Sequence, residues 1–280
     1  MKEYLTDKFN LEHGKLISFA DELPLWSAPF GMSILNTIKM AKNLKVLDIG
    51  SGLGFPSIEI AQRLGESSYV YGIDPWNDAN ERANLKIKKY GLKNIKIIDG
   101  FAERLPFENS FFDLIISNNG INNVENIQKT FCECWRVSKP GAQFVFTMNL
   151  DDSMIEFYQI LKDELEKREM HSAVRKMKEH IYHKRKPLKE MNDLVASNGF
   201  NVKEIKQDIF YLRFVDAASM FSHSFIKYWF LPLWKEIVGA QNLEEIFNSI
   251  ENRLNAISEK ENEIRLSIPF ATFVCKKAVV

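Results

Sequence analysis

Short apolar runs alternate with amphipathic helical patterns from Lys45 onward. The strand-like runs are Lys45–Ile49, Tyr69–Ile73, Ile95–Ile98, Phe112–Ser117 and Gln143–Met148. Helical periodicity is found between them, at Phe55–Leu64, at Trp76–Tyr90, and where Val124, Ile127, Phe131, Cys134 and Trp135 share one side. This alternation of strand and helix predicts a parallel sheet with helices on both of its faces.

The chain after Met148 departs from this alternation. Polar helical segments are followed by two more strands, which an aromatic-rich helical stretch separates. In chain order the predicted elements are helical 149–186, the helix Pro187–Asn198 with its stop at Gly199, the strand Phe200–Phe210, helical Phe214–Lys260 and the strand Ile264–Lys276. A helical insertion between two late strands is unusual for a simple doubly wound fold.

The first 40 residues precede the first strand and are predicted to form helices around a turn at Pro24 and Pro29. We expect four parts along the chain. They are an N-terminal helical lid (1–43), an α/β core (44–212), a helical cap insertion (213–262) and the final strand of the core (263–280).

Composition narrows the classes of partner. Of the 280 residues 45% are hydrophobic, and Lys+Arg balances Asp+Glu at 37 each, so a nucleic-acid partner is not expected. Three cysteines, Cys132, Cys134 and Cys275, are too few for a disulfide framework. We expect no signal peptide in the N-terminal sequence, and the most apolar run, Phe225–Trp234, is far shorter than the roughly 20 residues of a membrane span. We expect a cytoplasmic protein, with a homodimer as an open possibility.

A glycine-rich turn follows the first strand, in the sequence VLDIGSGLG of Val46–Gly54. Gly50, Gly52 and Gly54 let the backbone turn tightly and approach a ligand closely. The dinucleotide fingerprint G-x-G-x-x-G would need its last glycine at Phe55, so an NAD-dependent oxidoreductase is disfavoured. The alternative is a strand-to-helix turn that holds no ligand.

Asp74 ends the second strand, in the sequence GIDPW. In doubly wound nucleotide-binding folds, a carboxylate at this place accepts hydrogen bonds from ribose hydroxyls. The indole of Trp76 would then pack near an adenine. The alternative is that Asp74 caps the helix starting at Trp76, and one carboxylate can serve both purposes.

Four segments resemble the motifs of class I S-adenosylmethionine (SAM)-dependent methyltransferases, in the right order and spacing. They are VLDIGSGLG, GIDPW, GFAERLPFENSFFDLIISN and RVSKPGAQFVFTMN, within residues 44–150. The pattern is most similar to the small-molecule group that includes ubiquinone/menaquinone C-methyltransferases and arsenite methyltransferases. The resemblance implies an α/β fold with a Rossmann-like seven-stranded sheet that is mostly parallel and has an antiparallel last strand. It also implies the N-terminal helical lid and fits a helical insertion between the last two strands.

The resemblance further implies SAM as the cofactor, with S-adenosylhomocysteine (SAH) as the product. Gly50, Ser51 and Gly52 would lie against the methionine part of SAM. Asp48 would organise that loop. The other implied contacts are Asp74 with the ribose, Pro75 and Trp76 beside the adenine, Phe101, Ala102 and Glu103 at the adenine edge, and Asn118 and Asn119 facing the sulfonium and the substrate.

One position departs from the family pattern, which reads D-A-E-x-L-P-F before the fourth strand. Phe101 replaces the first Asp, so a carboxylate for the adenine amino group is missing unless Asp99 reaches in. Phe101 would stack on the ring instead, and the backbone N–H of Ala102 would still reach a ring nitrogen. The departure affects the adenine contact rather than the identity of the cofactor.

Two aromatic-rich regions are candidates for shaping the acceptor pocket. Trp26 in the leading segment is expected to close over the cofactor, or else to staple a helix to the sheet. His223 in the late insertion is the candidate general base, because imidazole titrates near neutral pH. The alternative for that insertion is a hydrophobic subdomain that packs on itself or on a second subunit.

The third candidate region is the asparagine-rich loop SNNGINNV at 117–124. Asn118 and Asn119 are expected to line the site, because open α/β sheets bind ligands at the carboxyl ends of their strands. Asparagine also suits turns and helix caps, and Asn122 or Asn123 is predicted to cap the next helix.

No metal site is expected. His180 and His183 are three residues apart in a helical segment, but no further ligand is evident. Cys132 and Cys134 would point to different sides of a helix, which disfavours arsenite methylation. The basic stretch Arg175–Lys189 is either a solvated helix face or a surface that attracts an acidic acceptor.

The expected function is transfer of a methyl group from SAM to a small-molecule acceptor by in-line displacement. Placement of the acceptor and exclusion of water supply much of the catalysis in such reactions. A catalytic residue is needed only where the acceptor must lose a proton. The alternative is a non-catalytic SAM- or nucleoside-binding protein of the same fold.

Overall fold

The computed structural model describes residues 24–278, together with Lys2 and Leu5. The other residues of the predicted N-terminal lid lie outside the described residues. The helices are α1 (Pro24–Thr37), α2 (Ser57–Leu64), α3 (Asn77–Tyr90), α4 (Ile127–Val137), α5 (Ile155–Lys167), α6 (His171–Lys184), α7 (Leu188–Ser197), α8 (Ala217–Ser222), α9 (Ser224–Trp229), α10 (Leu231–Val238) and α11 (Leu243–Glu261). The strands are β1 (Lys45–Ile49), β2 (Tyr69–Asp74), β3 (Ile95–Asp99), β4 (Phe112–Asn118), β5 (Ser138–Asn149), β6 (Phe200–Phe214) and β7 (Ile264–Lys277).

The seven strands of the described residues form one sheet in the order β3-β2-β1-β4-β5-β7-β6. β1 pairs in parallel with β2 and β4, and β4 pairs in parallel with β5. β7 runs antiparallel to β5, with Phe273 opposite Phe146. The predicted seven-stranded, mostly parallel α/β sheet is therefore confirmed.

Neighbouring residues of one strand enter different hydrophobic cores. Leu47 and Ile115 belong to the core on one face of the sheet, whereas Val46 and Ile116 belong to the core on the other face. Side chains alternate along a strand, so a continuous apolar run is what a sheet covered on both faces requires. Each large apolar side chain that is fully buried in this way contributes about 1.5–3 kcal/mol to folding.

The first helix differs from the predicted turn at Pro24 and Pro29. Pro24 begins α1, and Pro29 lies inside the same helix, where it removes one N–H from the hydrogen-bond ladder. Packing compensates for that loss. The Phe30 ring meets Phe270 edge-on with ring centroids 4.9 Å apart, and the Ser33 hydroxyl lies 2.6 Å from that of Thr272.

The helix after β4 also differs in detail from the prediction. Asn126 caps α4, because its side chain accepts from the Lys129 N–H at 2.9 Å, so the predicted cap at Asn122 or Asn123 is wrong. Trp135 is 38% exposed and does not belong to the buried side of the helix. The long helical stretch predicted after β6 is divided into the four helices α8 to α11.

The described residues form two compact units. One contains 24–150, 185–208 and 270–278, and the other contains 151–184 and 209–269 with Lys2 and Leu5. Residues 151–184, which the sequence patterns place in the core, belong in the structure to the unit of the late helices. Aromatic packing accounts for the difference, since Phe157 of α5 stacks on the fully buried Trp234 of α10 with ring centroids 3.8 Å apart.

Among the described helices, none has both the length and the apolar character needed to cross a membrane.

Candidate functional site

The order of the strands reverses between β1 and β4. β2 and β3 lie on one side of β1, and β5 lies on the other side of β4. Open α/β sheets bind their ligands in the crevice outside the carboxyl ends of the strands at such a reversal. The glycine loop follows β1 and the asparagine-rich loop follows β4. Both predicted loops therefore begin where the carboxyl ends of the parallel strands meet, which is the edge of the sheet meant below.

The glycine loop is held tightly at Gly50. This residue has a φ of +72°, and a Cβ built on it would lie 2.9 Å from the Cα of Gly120. The N–H groups of Gly50 and Ser51 both donate to the carbonyl of Ile73, at 2.9 and 3.2 Å. A side chain at residue 50 would therefore suffer both backbone strain and a collision with backbone atoms.

Gly52 is open where Gly50 is crowded. It has a φ of +47°, and a Cβ built on it would meet nothing within 4 Å. Its N–H donates to Asp74 Oδ2 at 2.9 Å, and the Trp76 N–H donates to Asp74 Oδ1 at 2.9 Å. A carboxylate has about four acceptor positions, so roughly two remain for other donors. Asp74 does not cap α3, because the capping position is that of Trp76.

The two carboxyl groups at this edge have perturbed acidity. Burial raises the pKa of Asp74, against the effect of the two N–H donors. Burial raises the pKa of Asp48 to about 7; the hydrogen bond from the Ser57 hydroxyl opposes the rise, and the negative charge of Asp74 adds to it. Within the described residues Asp48 Oδ1 has no hydrogen-bond partner. By holding Ser57, Asp48 fastens the start of α2 directly after the glycine loop.

Ser51 is buried in the middle of the loop. A Cβ built on Gly72 of β2 would lie 2.7 Å from Ser51 Oγ, so the glycine at residue 72 makes room for this side chain. The hydroxyl has no hydrogen-bond partner in the described part of the chain. Buried polar groups are almost always hydrogen-bonded, so a ligand is the natural partner for this one.

The end of β3 brings a further acidic side chain to the same edge. Asp99 lies opposite Asp74 in the pairing of β2 with β3. With its amide turned so that the nitrogen faces the carboxylate, Asn77 donates to Asp99 at 3.0 and 3.2 Å. Asp99 is thus engaged by the first residue of α3.

The segment after β3 holds the predicted adenine-edge residues. Phe101 is 57% exposed, whereas Ala102 is buried. Glu103 Oε1 accepts from the N–H groups of Glu125 and Asn126, at 2.8 and 3.0 Å. Its carboxylate fastens the loop before α4, a structural role that the resemblance did not imply.

Helix α1 reaches the same edge of the sheet. The carbonyl of Ser27 accepts from the Asn118 side-chain amide at 3.2 Å. A Cβ built on Gly31 would collide with the ring of Phe55, the residue that follows the glycine loop. Trp26 is half-buried on the same helix. The helix therefore packs against both loops of the crevice.

An amide cluster, defined as Asn119, Asn122 and Asn149, lies at the ends of β4 and β5. The side-chain nitrogen of Asn122 donates to Asn119 Oδ1 and to Asn149 Oδ1. Asn119 has a φ of +59°, and its N–H donates to the Thr147 hydroxyl at 3.0 Å. Asparagine tolerates this left-handed conformation better than most residues with a side chain.

A family model described as a methyltransferase domain matches residues 40–193, more than half of the chain. The chain belongs to the methyltransferase-domain family. The predicted resemblance is thereby confirmed, and the matched residues contain both loops of the crevice, Asp74 and the amide cluster.

Similar proteins and solved structures are consistent with membership of the methyltransferase-domain family. The demethylmenaquinone methyltransferase of Geobacillus sp. (strain WCH70) is 30% identical over 126 residues, which are 45% of this chain and 54% of that protein. The chain thus spans about half the length of the curated relatives it matches. The YcgJ protein of Bacillus subtilis has 15% identity and a TM-score of 0.61, over 90% of this chain and 99% of that one. A SAM-dependent methyltransferase from Aquifex aeolicus has 15% identity and a TM-score of 0.54, over 98% and 100%. These likenesses show the class I methyltransferase fold.

Most of the predicted cofactor residues of the methyltransferase domain lie at the carboxyl ends of its strands or in the loops that follow. They are Asp48, Gly50, Ser51, Gly52, Asp74, Pro75, Trp76, Phe101, Ala102, Asn118 and Asn119. His223 belongs to the other compact unit, where it precedes α9 and its ring meets Phe214 edge-on with centroids 5.4 Å apart. Partial burial lowers the pKa of His223, so its imidazole is neutral at neutral pH. Its catalytic role remains a prediction.

Sequence reasoning missed three side chains at this edge of the methyltransferase domain: Ser57, Thr147 and Asn149. Thr147 lies opposite Asn118 in the pairing of β4 with β5, and Asn149 ends β5. The rule that the carboxyl ends of parallel strands meet would have found both, had it been applied to the sequence TMN. Ser57 carries no such signal, because its role depends on its contact with the buried Asp48.

Proposed function

We propose that this chain is a SAM-dependent methyltransferase that transfers a methyl group to a small-molecule acceptor. The observation that carries the proposal is the loop after β1, in which Gly52 faces open space while its N–H is held by Asp74. Family membership supports it, because the matched residues contain this loop and this carboxylate.

The side chains at the loop fit the proposed cofactor. The buried Ser51 hydroxyl lacks a partner among the described residues and would meet the methionine part, beside Gly50 and Gly52. Asp74 retains acceptor positions for ribose hydroxyls. Bound there, SAM would supply a methyl group carried on its positively charged sulfur. The sulfur is the leaving group and would keep the electrons of its bond to the methyl carbon.

The adenine would be held with fewer polar contacts than the family pattern provides. We place the half-buried Trp76 and the exposed Pro75 on one side of the ring, and Phe101 on the other. The backbone N–H of Ala102 would meet a ring nitrogen. Trp26 lies on α1, and Asn118 contacts the same helix through a hydrogen bond. Both side chains would close the crevice near the sulfur.

For the acceptor, we propose an aromatic small molecule of the quinol type. The curated relatives carry the name demethylmenaquinone methyltransferase, and this supports a ring with oxygen substituents. The lining that the asparagine-rich loop contributes is polar and uncharged, which suits such oxygens.

Calorimetry with SAM, SAH and NAD tests the cofactor, and SAH release with naphthoquinol acceptors tests turnover. We expect SAM and SAH to bind, NAD not to bind, and SAH to accumulate only when an acceptor is present. Asp74→Asn should lower SAM affinity by about 10- to 100-fold, the value of one or more hydrogen bonds to a charged group. Asp113→Asn, in a residue near the opposite end of β4, is the matched control and should bind SAM normally. Binding of NAD in place of SAM would overturn the proposal.

A second candidate is a SAM-binding protein without turnover. The exposure of Phe101, where the family pattern has a carboxylate, favours it. Tight SAM binding with no SAH released by any acceptor of the panel would support this candidate over the enzyme.

We also propose His223 as the general base for an acceptor that binds with its proton in place, in view of its neutral imidazole. His223→Gln should lower kcat without changing SAM affinity, and it should remove any acidic limb of the pH profile due to imidazole protonation. An unchanged kcat in His223→Gln would remove this residue from the mechanism.

A further inference from the structure

The amide cluster has a fixed orientation. Asn119 Oδ1 accepts from the Asn122 side chain and, at 3.3 Å, from the Asn149 N–H. Asn149 Oδ1 accepts from the Asn122 side chain at 2.6 Å. Both oxygens are therefore committed, and turning either amide over would set two donors against each other. The side-chain NH2 groups of Asn119 and Asn149 are the parts left to meet something else.

The two NH2 groups make no hydrogen bond within residues 24–278. Asn149 as a whole residue is 6% exposed, but neither of the two NH2 nitrogens is fully buried, so both can be reached by a ligand. The hydrogen bonds that connect the amide cluster to its described neighbours involve amides, backbone groups and the Thr147 hydroxyl, with no titratable side chain. The amide cluster is thus a neutral group with two unused hydrogen-bond donors.

The amide cluster adjoins the glycine loop. Gly120 follows Asn119, and a Cβ built on it would lie 2.6 Å from the Ile49 carbonyl oxygen and 3.1 Å from Gly50 Cα. The Ser117 hydroxyl also donates to the Ile49 carbonyl, at 2.8 Å. The segment that carries Asn119 is therefore packed directly against the loop proposed to hold the cofactor.

We propose that the side-chain NH2 groups of Asn119 and Asn149, both oriented by Asn122, form a two-donor site for an ionised oxygen of the methyl acceptor, of the phenolate or enolate class. This assignment rests on the proposed function. Donors that are already oriented stabilise a negative oxygen strongly, because no reorganisation is needed when the charge arrives.

An amide cannot take up a proton, so this site does not act as a base. It stabilises the charged form of a bound hydroxyl and thereby lowers the pKa of that hydroxyl. The acceptor binds as the anion, and the proton it loses goes to solvent. An acceptor whose nucleophile is a neutral amine gains nothing from the site, which separates this substrate class from amine substrates.

The probe is 2-hydroxy-1,4-naphthoquinone, whose acidic hydroxyl is ionised at neutral pH, titrated into the full chain saturated with SAH. 1,4-Naphthoquinone, which has no acidic hydroxyl, is the neutral comparison. Asn119→Asp and Asn149→Asp keep the oxygen that Asn122 contacts and replace the NH2 donors by a charged acceptor. Each should weaken binding of the anion by about 10- to 100-fold. Binding of the neutral quinone should be unchanged.

Asn109→Asp is the matched control for the added charge, because Asn109 lies in the loop before β4 and contacts Arg136. It should bind both probes as the unaltered chain does. SAH affinity, measured by calorimetry for every variant, reports folding and the proposed function separately from the donor site. Full affinity for the anion in both aspartate variants, with normal SAH binding, would overturn the inference. If the unaltered chain did not bind SAH, only the proposed function would be overturned.

A measurement on the unaltered chain covers the case in which an aspartate variant does not fold. In nitrogen-15 spectra the anion should shift the NH2 signals of two asparagine side chains, and the neutral quinone should leave them in place. Assignment of the shifted signals to asparagines other than Asn119 and Asn149 would contradict the inference.

Discussion

The two halves of the crevice are built differently. The half proposed to bind the cofactor, called the cofactor half, consists of Gly50–Gly54 with Asp48 and Asp74 and uses strained glycines, backbone N–H groups and buried carboxyl groups. The half proposed to bind the acceptor, called the acceptor half, consists of the amide cluster and Thr147 and uses neutral side chains that contact one another. Backbone groups present the same surface whatever the side chains are, whereas side chains at strand ends can be exchanged singly. The first half therefore suits one fixed ligand, whereas the second can be adapted to a different ligand by single substitutions.

The crowding at Gly50 should produce the largest effect. Gly50→Ala forces a Cβ toward Gly120 Cα at a positive φ. Overpacking and left-handed strain together should lower the free energy of unfolding by about 2–5 kcal/mol. Urea denaturation measures the loss. Stability equal to that of the unaltered chain would show that the two halves are not in close contact at this residue.

Gly52→Ala should affect the cofactor more than the fold. A Cβ at Gly52 meets no protein atom, so the cost in stability is about 1–2 kcal/mol of backbone strain. The added methyl group enters the space assigned to SAM and should weaken SAM binding by about 10- to 100-fold.

Gly91→Ala is the matched control for Gly52→Ala. Gly91 has a similar φ of +66°, meets nothing within 4 Å and lies at the end of α3. It should lose the same stability while SAM affinity stays unchanged. Equal SAM affinity in the two variants would remove Gly52 from the cofactor half.

The charge of the cofactor half should appear as a dependence of stability on pH. The pKa of Asp48 rises from 3.8 to about 7 on folding, so within this window the folded chain holds a proton that the unfolded chain has lost. The free energy of unfolding should therefore fall as pH rises through the window and level off above it. Asp48→Asn should remove this contribution from urea midpoints collected across the window.

Glu251 is the control for the Asp48 measurement, because burial raises its pKa to about 7 as well, against the effect of its ion pair with Lys2. Glu251→Gln should remove its own share of the slope and leave that of Asp48. If the free energy of unfolding fell equally steeply with pH in Asp48→Asn and in the unaltered chain, the Asp48 carboxyl would not be buried in the folded state.

The smallest effect is expected at the adenine edge. Phe101→Asp restores the carboxylate of the family pattern at an exposed position. One additional hydrogen bond near the surface is worth about 0.5–1.5 kcal/mol, which corresponds to about 2- to 12-fold tighter SAM binding by calorimetry. Binding of the naphthoquinone anion should not change. Weaker SAM binding would show that the stacking lost with the Phe101 ring contributes more than the hydrogen bond gained.

The cofactor half was predictable because its signals are local in the sequence. Nine consecutive residues, Val46–Gly54, contain the strand, the turn and the glycines, and Asp74 ends the next strand. The acceptor half was only partly predictable. Asn119 was identified, but Asn149 joins it from β5, and the orientation of both amides depends on contacts that no local pattern encodes.

Packing also decided the features of the fold that the sequence patterns did not predict. The apolar runs predicted β1 to its bounds and β2, β3 and β4 to within one residue, whereas β5 begins at Ser138, five residues before the predicted start. The helix through Pro29 depends on contacts with Phe270 and Thr272, which are distant in the sequence. The grouping of 151–184 with the late helices depends on the stacking of Phe157 on Trp234.

The pairing of β7 with β5 has a consequence for synthesis on the ribosome. The parallel strands are complete once Asn149 has been made, but the strand that covers the β5 edge follows only after residues 150–263. Throughout that interval, Phe144, Val145 and Phe146 present an apolar edge with unpaired backbone groups to other nascent chains. Chaperone binding is expected to begin once β5 has left the ribosome and to cease when Phe273 of β7 pairs with Phe146.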